Sequence, residues 1–267
     1  MEIKIVDINR RNIDDLVLIC SGKYLSDPNY ATGIELKKKW LLKMLEKVGV
    51  CAKIAYLNDK PVGQILFQPE NSNPADPYPR EGVLYLHCIF VPVQEAQRKG
   101  VATALLESLI EDCKECPEKL GIKECRFIVT HAFDTGLFLN QADFYRKRGF
   151  KNCPDGGPND LYLPILGEYE PKPKTEYKPL EEDLNRAIII FGESCQFGHV
   201  FAMRAFELIK EVAPDLPITL IDEDEQPEES KRRAGEWLIV NARPIRAWVG
   251  DADAFKKAVV EALKGDH

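Results

Sequence analysis

Gln97, Arg98, Lys99, Gly100, Val101 and Ala102 stand between an apolar run at 83–91 and an amphipathic run at 103–113. Strand, short loop with small residues, then helix is a general arrangement for holding phosphate. The loop exposes backbone N–H groups, and the helix N-terminus adds the positive end of its dipole. Small residues let phosphate approach the backbone, and Arg98 and Lys99 bring positive charge. Two other residues have side chains suited to proton transfer or nucleophilic attack. His87 lies inside the apolar run, four residues before Val91. An imidazole of pKa about 6.5 exchanges protons near neutrality, and a packed strand histidine is the alternative. Cys195 lies in the stretch Phe191-Gly192-Glu193-Ser194-Cys195-Gln196-Phe197-Gly198-His199, between a strand pattern and a helix pattern. Thiols at helix N-termini tend toward the reactive thiolate.

These residues need elements to carry them. The first part of the chain alternates element types. Strands are expected at 3–6, 52–57, 62–67, 83–91, 125–129 and 161–165, and helices at 13–20, 35–48, 103–113 and 141–147. In the helix after the loop, Val101, Leu105, Leu106, Leu109 and Ile110 fall on one face. A segment rich in Pro, Lys and Glu at 167–183 is expected to be extended or mobile, separating parts at 1–166 and 184–267. The second part reads as strand 187–191, helix 197–212, strand 218–221, polar helix 228–234, a hairpin of 237–240 with 245–249, and helix 253–263. The short strand-helix-strand connection implies parallel pairing of its first two strands.

Composition narrows the class. The chain has 267 residues, 45% apolar and 30% charged, enough for packed cores in two α/β domains. A net charge of −7 argues against a general nucleic-acid binder. No apolar run approaches the length of a membrane span. The N-terminus reads as a strand rather than a signal peptide, and eight scattered cysteines fit reduced thiols, so a cytoplasmic location is expected. Cys113 and Cys116 lack a second pair for zinc, and Cys113 continues an apolar helix face; no metal is expected.

Two motifs carry a resemblance. Gln97-Arg98-Lys99-Gly100-Val101-Ala102 resembles the Gln/Arg-x-x-Gly-x-Gly/Ala loop of the GNAT acetyltransferases. Phe144-Tyr145-Arg146-Lys147-Arg148-Gly149-Phe150 resembles that family's later Phe-Tyr-x-x-x-Gly-Phe signature. Order and spacing agree over 1–166. The resemblance implies a mixed α/β acyl-CoA-binding fold with acetyl-CoA as donor and a primary amine of a small molecule or peptide as acceptor. It implies that the backbone of Gln97, Arg98, Lys99, Gly100, Val101, Ala102 and Thr103 holds the pyrophosphate. It also implies that the pantetheine arm runs beside Ile89, Phe90 and Val91, where splayed strands leave backbone groups free. Tyr145 would then protonate the departing sulfur, a phenol of pKa about 10 being matched to a thiolate. A backbone N–H on 89–91 would hold the oxyanion. His87, or more weakly Glu81, would take the amine's proton. Gly100 lies nine positions after Val91, one more than is usual in the family, and Pro92 comes one place early, so a bulged turn is expected. Asn140 is the nearest counterpart of an Asn that commonly precedes the Tyr-bearing helix. Loops 23–34, 70–80 and 131–140 would form the acceptor pocket, with His131 and Asp134 facing it or forming a solvated pair.

The second part resembles the thioredoxin/glutaredoxin fold, and the two-domain arrangement resembles the YoaP-type acetyltransferases. Cys195 stands where that fold keeps its reactive cysteine, but Gly198 replaces the second thiol. Two alternatives to an acetyltransferase stay open: a degenerate CoA-binding sensor, and a monothiol redox or thiophilic-ligand protein acting through Cys195. Oligomeric state is not legible.

Overall fold

The computed structural model describes residues 2–21, 24–133 and 140–264. Asn58 and Asp59 both take positive φ, 50° and 59°, forming the mirror-image turn that matches the twist of paired strands. They join β2 (Ala52–Leu57) to β3 (Lys60–Pro69), and β1 (Ile3–Asp7) pairs antiparallel with β2. β3 pairs antiparallel with β4 (Val83–Phe90), and β4 runs parallel to β5 (Phe127–His131). A parallel pair requires a crossover, which α3 (Val101–Glu115) supplies by lying across β1, β2, β3 and β4. The short β6 (Lys151–Asn152) and β7 (Asp160–Pro164) complete a seven-stranded sheet ordered β1-β2-β3-β4-β5-β7-β6. Ile65 and Ala55 face the core under α3, whereas Gln64 and Tyr56, which alternate with them, reach Cys20 and Asp15 of α1 (Ile13–Ser21). α4 (Gln141–Arg146) packs Ala142 and Tyr145 into the core with Leu86, Ile89 and Leu105.

Several boundaries differ from the sequence pattern. α2 (Pro28–Lys47) starts seven residues before the expected 35. Asp27 Oδ1 accepts the Asn29 N–H at 2.9 Å, a cap followed by proline at the first helical position. Of the expected loop 23–34, the part from Pro28 onward is therefore helical. β5 starts two residues late, at Phe127.

The chain forms two compact units: 1–22 with 41–73 and 78–173, and 23–40 with 74–77 and 174–267. In the second, β8 (Ala187–Phe191) runs into α5 (Gln196–Val212) and then into β9 (Ile218–Asp222), parallel to β8. α6 (Pro227–Arg232) leads to β10 (Leu238–Val240), antiparallel to β8, then β11 (Arg243–Pro244) and α7 (Ala252–Lys264). The sheet order is β11-β10-β8-β9. The expected hairpin arm at 245–249 is not a strand. Asn241 and Ala242, at φ 51° and 56°, turn the chain, and the pairing with β10 goes no further than the Ile245 N–H, which donates to Leu238 O at 2.9 Å.

The Pro/Lys/Glu segment has no helix or strand before a 3₁₀ turn at Glu181–Asp183, but neither end is loose. The Tyr169 ring packs on Tyr162 and Phe127 with centroids 4.6 and 5.5 Å away, and its hydroxyl donates to Asp155. Lys172 reaches the buried Glu70 at 3.1 Å. At the other end Asp183, wholly buried, pairs with the Arg233 guanidinium at 2.7 Å.

A charge network ties the open edge of the first sheet to α3. The buried Lys53 ammonium pairs with Asp7 at 2.8 Å and with Asp112, and Lys119 pairs with both carboxylates at 2.9 and 2.8 Å. Burial alone would raise the Asp7 pKa, but Lys53 and Lys119 outweigh it and hold it below the ordinary carboxylate value. A carboxyl depressed in the folded state contributes stability above its unfolded pKa and loses it as pH falls through the folded value. Lys53→Met is therefore expected to cost about 2–3 kcal/mol at pH 7, the lower part of the range because Asp7 is 38% exposed. Urea unfolding at pH 7 and pH 3 checks this: the difference from wild type shrinks at pH 3.

Candidate active site

The loop 97–102 is built by two left-handed residues. Arg98 has φ 58° and Gly100, the residue preceding α3, has φ 83°. No side chain caps α3, so its first N–H groups point out of the helix end unfilled by a cap. Arg98, Lys99 and Gly100 are exposed, and a Cβ on Gly100 would meet nothing within 4 Å. Val101 is buried, anchoring the helix start, while Ala102 and Thr103 are half-buried. The residue in excess before the loop falls in a connection with a 3₁₀ turn at Gln94–Ala96. Gln97 Nε2 donates to Val91 O at 3.2 Å and ties the loop to the strand end. Gly63 on β3 makes this proximity possible: a Cβ there would meet Val91 Cγ2 at 2.9 Å and Val101 Cγ1 at 3.3 Å.

β4 changes partner along its length. β5 pairs with it only from Val83↔Phe127 to Leu86↔Thr130. At that point the register with β3 also shifts: Phe67 pairs with Leu86 and Leu66 with Cys88, leaving His87 as the extra residue of a bulge. A one-residue bulge reverses which side chains face which side. Leu84 and Leu86 face the core before it, and Ile89 does so after it. Beyond Leu86, Ile89, Phe90 and Val91 have no β5 partner, and Ile89 O and Val91 O accept hydrogen bonds from side chains instead.

Tyr145 occupies the resulting fork. It is wholly buried between α4 and the sheet. Its hydroxyl has no hydrogen bond of ordinary geometry. Burial pushes its pKa well above the usual phenol value, and Cys88 and Tyr85 push the same way, while Thr130 and the Ile89 backbone pull it down without reversing the shift. Of these neighbours, Thr130 is the last β5 residue paired with β4, and Cys88 and Ile89 lie just beyond that pairing. Thr130 closes the narrow end, its Oγ1 donating to Leu86 O at 2.8 Å.

His87, at the bulge, is half-buried with its ring edge-on to Tyr85, centroids 4.9 Å apart. It lies two positions from Ile89. Glu81 is exposed and precedes the opposite end of β4. Eight strand residues span about 25 Å, so Glu81 does not share the fork with Tyr145. The Thr103 hydroxyl is taken by the Arg148 guanidinium, which also donates to Phe144 O at 2.9 Å and stacks on the Phe144 ring at 3.7 Å. Thr103 thus offers the loop only its backbone. Asn140 caps α4, accepting Asp143 N–H at 3.1 Å. His131 pairs with Asp160 at 2.7 Å on the surface; Asp134 lies outside the described residues. Gln141, Thr130 and Arg148 are site residues that the motifs alone did not single out.

Cys195 is exposed at the N-cap of α5. Before it, the buried Glu193 pairs with Lys39 at 3.1 Å and donates its N–H to Asp224 at 2.8 Å. Burial, then the Asp224 charge, raises the nearby Glu223 pKa to about 6. Cys113 is buried and Cys116 exposed, so this pair does not converge. Among the described residues, no group of three or more His, Cys, Asp or Glu is placed to hold a metal, and no helix is long and apolar enough to cross a membrane.

Two glycine variants separate strain from crowding. Gly100→Ala is expected to cost about 1 kcal/mol, the penalty of a left-handed L-residue with open space around it. Gly63→Val is expected to cost more, about 2 kcal/mol, by pushing β4 from α3. Thermal melting of the two variants checks the order.

Residues 23–150 match the model of the acetyltransferase (GNAT) family. No curated protein matches the chain. Among solved structures, PH1933 from Pyrococcus horikoshii OT3 is 21% identical, with 60% of this chain and 96% of that one covered at a TM-score of 0.40. The PaiA N-acetyltransferase from Thermoplasma acidophilum in complex with coenzyme A is 16% identical, covering 61% and 99% at 0.42. A GNAT family acetyltransferase from Brucella melitensis in complex with acetyl-CoA is 16% identical, covering 65% and 94% at 0.41. The stretch 23–150 that matches the acetyltransferase (GNAT) family holds both the 97–102 loop and Tyr145.

Proposed function

We propose that the domain at 1–166 transfers an acetyl group from acetyl-CoA directly to a primary amine of a small molecule or peptide, without an acyl-enzyme. The observation that carries this is the fork between β4 and β5, where the Tyr145 hydroxyl lies beside the Ile89 backbone amide. The fork continues along Ile89-Phe90-Val91, the part of the β4 edge that β5 does not reach, to the start of α3, which no side chain caps. The residues present suit acetyl-CoA. Open space over Gly100, exposed Arg98 and Lys99, and the first N–H groups of α3 would receive the pyrophosphate. The edge of β4 offers amide-pairing groups to the arm.

In the reaction, the thioester supplies the activated acetyl carbon. The Ile89 N–H donates to the carbonyl oxygen as negative charge develops on it. The Tyr145 hydroxyl gives its proton to the departing sulfur. A phenol whose pKa is raised by burial stays protonated through the physiological range, so this acid is always loaded. His87, two positions from Ile89, accepts the amine's proton directly or through water.

For residues 184–267 we propose a thioredoxin-like fold. It is supported by a parallel β8–β9 pair, antiparallel β10 and β11, and the order β11-β10-β8-β9. The boundaries 1–166, 167–183 and 184–267 belong to this reading, as does a cytoplasmic site of action, which the scatter of eight cysteines through core-like sequence favours. Cys195 would act as a single exposed thiol.

The test is release of free CoA thiol from acetyl-CoA against a panel of amines, in a reductant that is not itself a thiol. Wild type is expected to turn over at least one amine. Tyr145→Phe is expected to lower turnover about 10²-fold with little change in acetyl-CoA affinity; unchanged turnover removes the acid role. Wild-type turnover is expected to show no decline between pH 7 and 9 from loss of the Tyr145 proton. Acetyl-CoA binding without turnover of any amine would favour a sensor.

A further inference from the structure

Beyond Leu86 the edge of β4 has lost β5, yet its carbonyls are not bare. Gln141 Nε2 donates to Ile89 O at 3.3 Å, and Gln97 Nε2 donates to Val91 O at 3.2 Å. Residues two apart on a strand present their carbonyls to the same side. Two carboxamides, one from the loop before α3 and one from the start of α4, therefore cover successive positions on one strand edge. Gln141 does more: its Oε1 accepts the Phe133 N–H at 3.0 Å. With a donor contact to β4 and an acceptor contact just past β5, it bridges the fork as a peptide unit of a missing strand would.

An acyl-pantetheine arm carries two secondary amides, with the same donor and acceptor groups as a glutamine carboxamide. We propose that the Gln97 and Gln141 carboxamides are placeholders that cover the amide-pairing edge of β4 in the empty protein and swing out when an acyl-CoA arm pairs there. This rests on the reading of 89–91 as the arm's site. The two glutamines satisfy part-buried carbonyls that would otherwise face a partly closed fork. Their hydrogen bonds must be given up on binding, so they stabilise the empty site and weaken affinity together. A purely structural glutamine would do the reverse: its loss would deform the fork and weaken binding.

The experiment is calorimetric titration of full-length protein with acetyl-CoA, for wild type, Gln141→Met and Gln141→Glu, with the melting temperature of each ligand-free protein. Methionine keeps the length of the side chain and removes both hydrogen bonds. Glutamate keeps the acceptor toward Phe133 and loses the donor to Ile89. Both variants are expected to bind acetyl-CoA about two- to tenfold more tightly than wild type, the worth of one exchanged hydrogen bond. Gln141→Met is expected to melt at a lower temperature than wild type when empty. Equal or weaker binding by both variants, with wild type binding, overturns the placeholder role and leaves the groove reading standing. Tighter binding by Gln141→Met alone assigns the effect to the Phe133 contact and overturns the Ile89 part. Failure of wild type itself to bind acetyl-CoA overturns the groove reading, and the placeholder role falls with it.

Discussion

Two neighbouring strands cannot separate without leaving backbone groups behind. β4 and β5 separate after Leu86 and Thr130, and most of the site answers that one event. Tyr145 fills the gap with an aromatic ring, Thr130 closes its narrow end through the Leu86 carbonyl, and two glutamines cover the carbonyls that β5 no longer reaches. The bulge at His87 coincides with the separation and turns Ile89 back toward the core. A continuous ladder would have left no space for a ligand and no free edge to pair with one.

The fork carries an energetic cost that the surroundings support. Burying a hydroxyl without a well-formed hydrogen bond costs about 1–3 kcal/mol, and Tyr145 is in that position. Its ring contacts Phe144 and Phe150, with centroids 5.5 and 5.0 Å away, and the core around it is apolar. A local rule is thus broken where chemistry is proposed, and packing compensates. Arg148 joins α4 to the first turn of α3 through Thr103, so the helix bearing Tyr145 and the helix bearing the loop are held together. The Lys53, Asp7, Asp112 and Lys119 network holds the other end of α3 to the sheet edge.

Much of the fold was legible because periodicity reports burial directly. The strands at 52–57 and 187–191 and the helix at 13–20 emerged close to their expected bounds. Where burial is not periodic, the pattern failed. The first turns of α2 show no apolar stripe, and only the capping pair Asp27-Pro28 announced them. The arm at 245–249 looked like a strand from its apolar residues, but only its first residue, Ile245, reaches β10, through Leu238 O. The charged segment after 166 read as loose. Tyr169 and Lys172 find partners in Phe127, Tyr162, Asp155 and Glu70 that only the folded chain brings near.

From its residues alone, the chain determined two α/β parts, a glycine loop at the start of a helix, and a tyrosine on a later short helix. Local preferences and burial period suffice for each of these, because both act over a few neighbouring residues. The tertiary structure decided where β4 and β5 part, that Tyr145 is buried in the gap, and that Glu81 stands at the wrong end of its strand. It also enlisted Gln97 and Gln141 to cover the free edge. Those outcomes depend on register between distant strands, and register is set by packing across the whole sheet, which no local window contains.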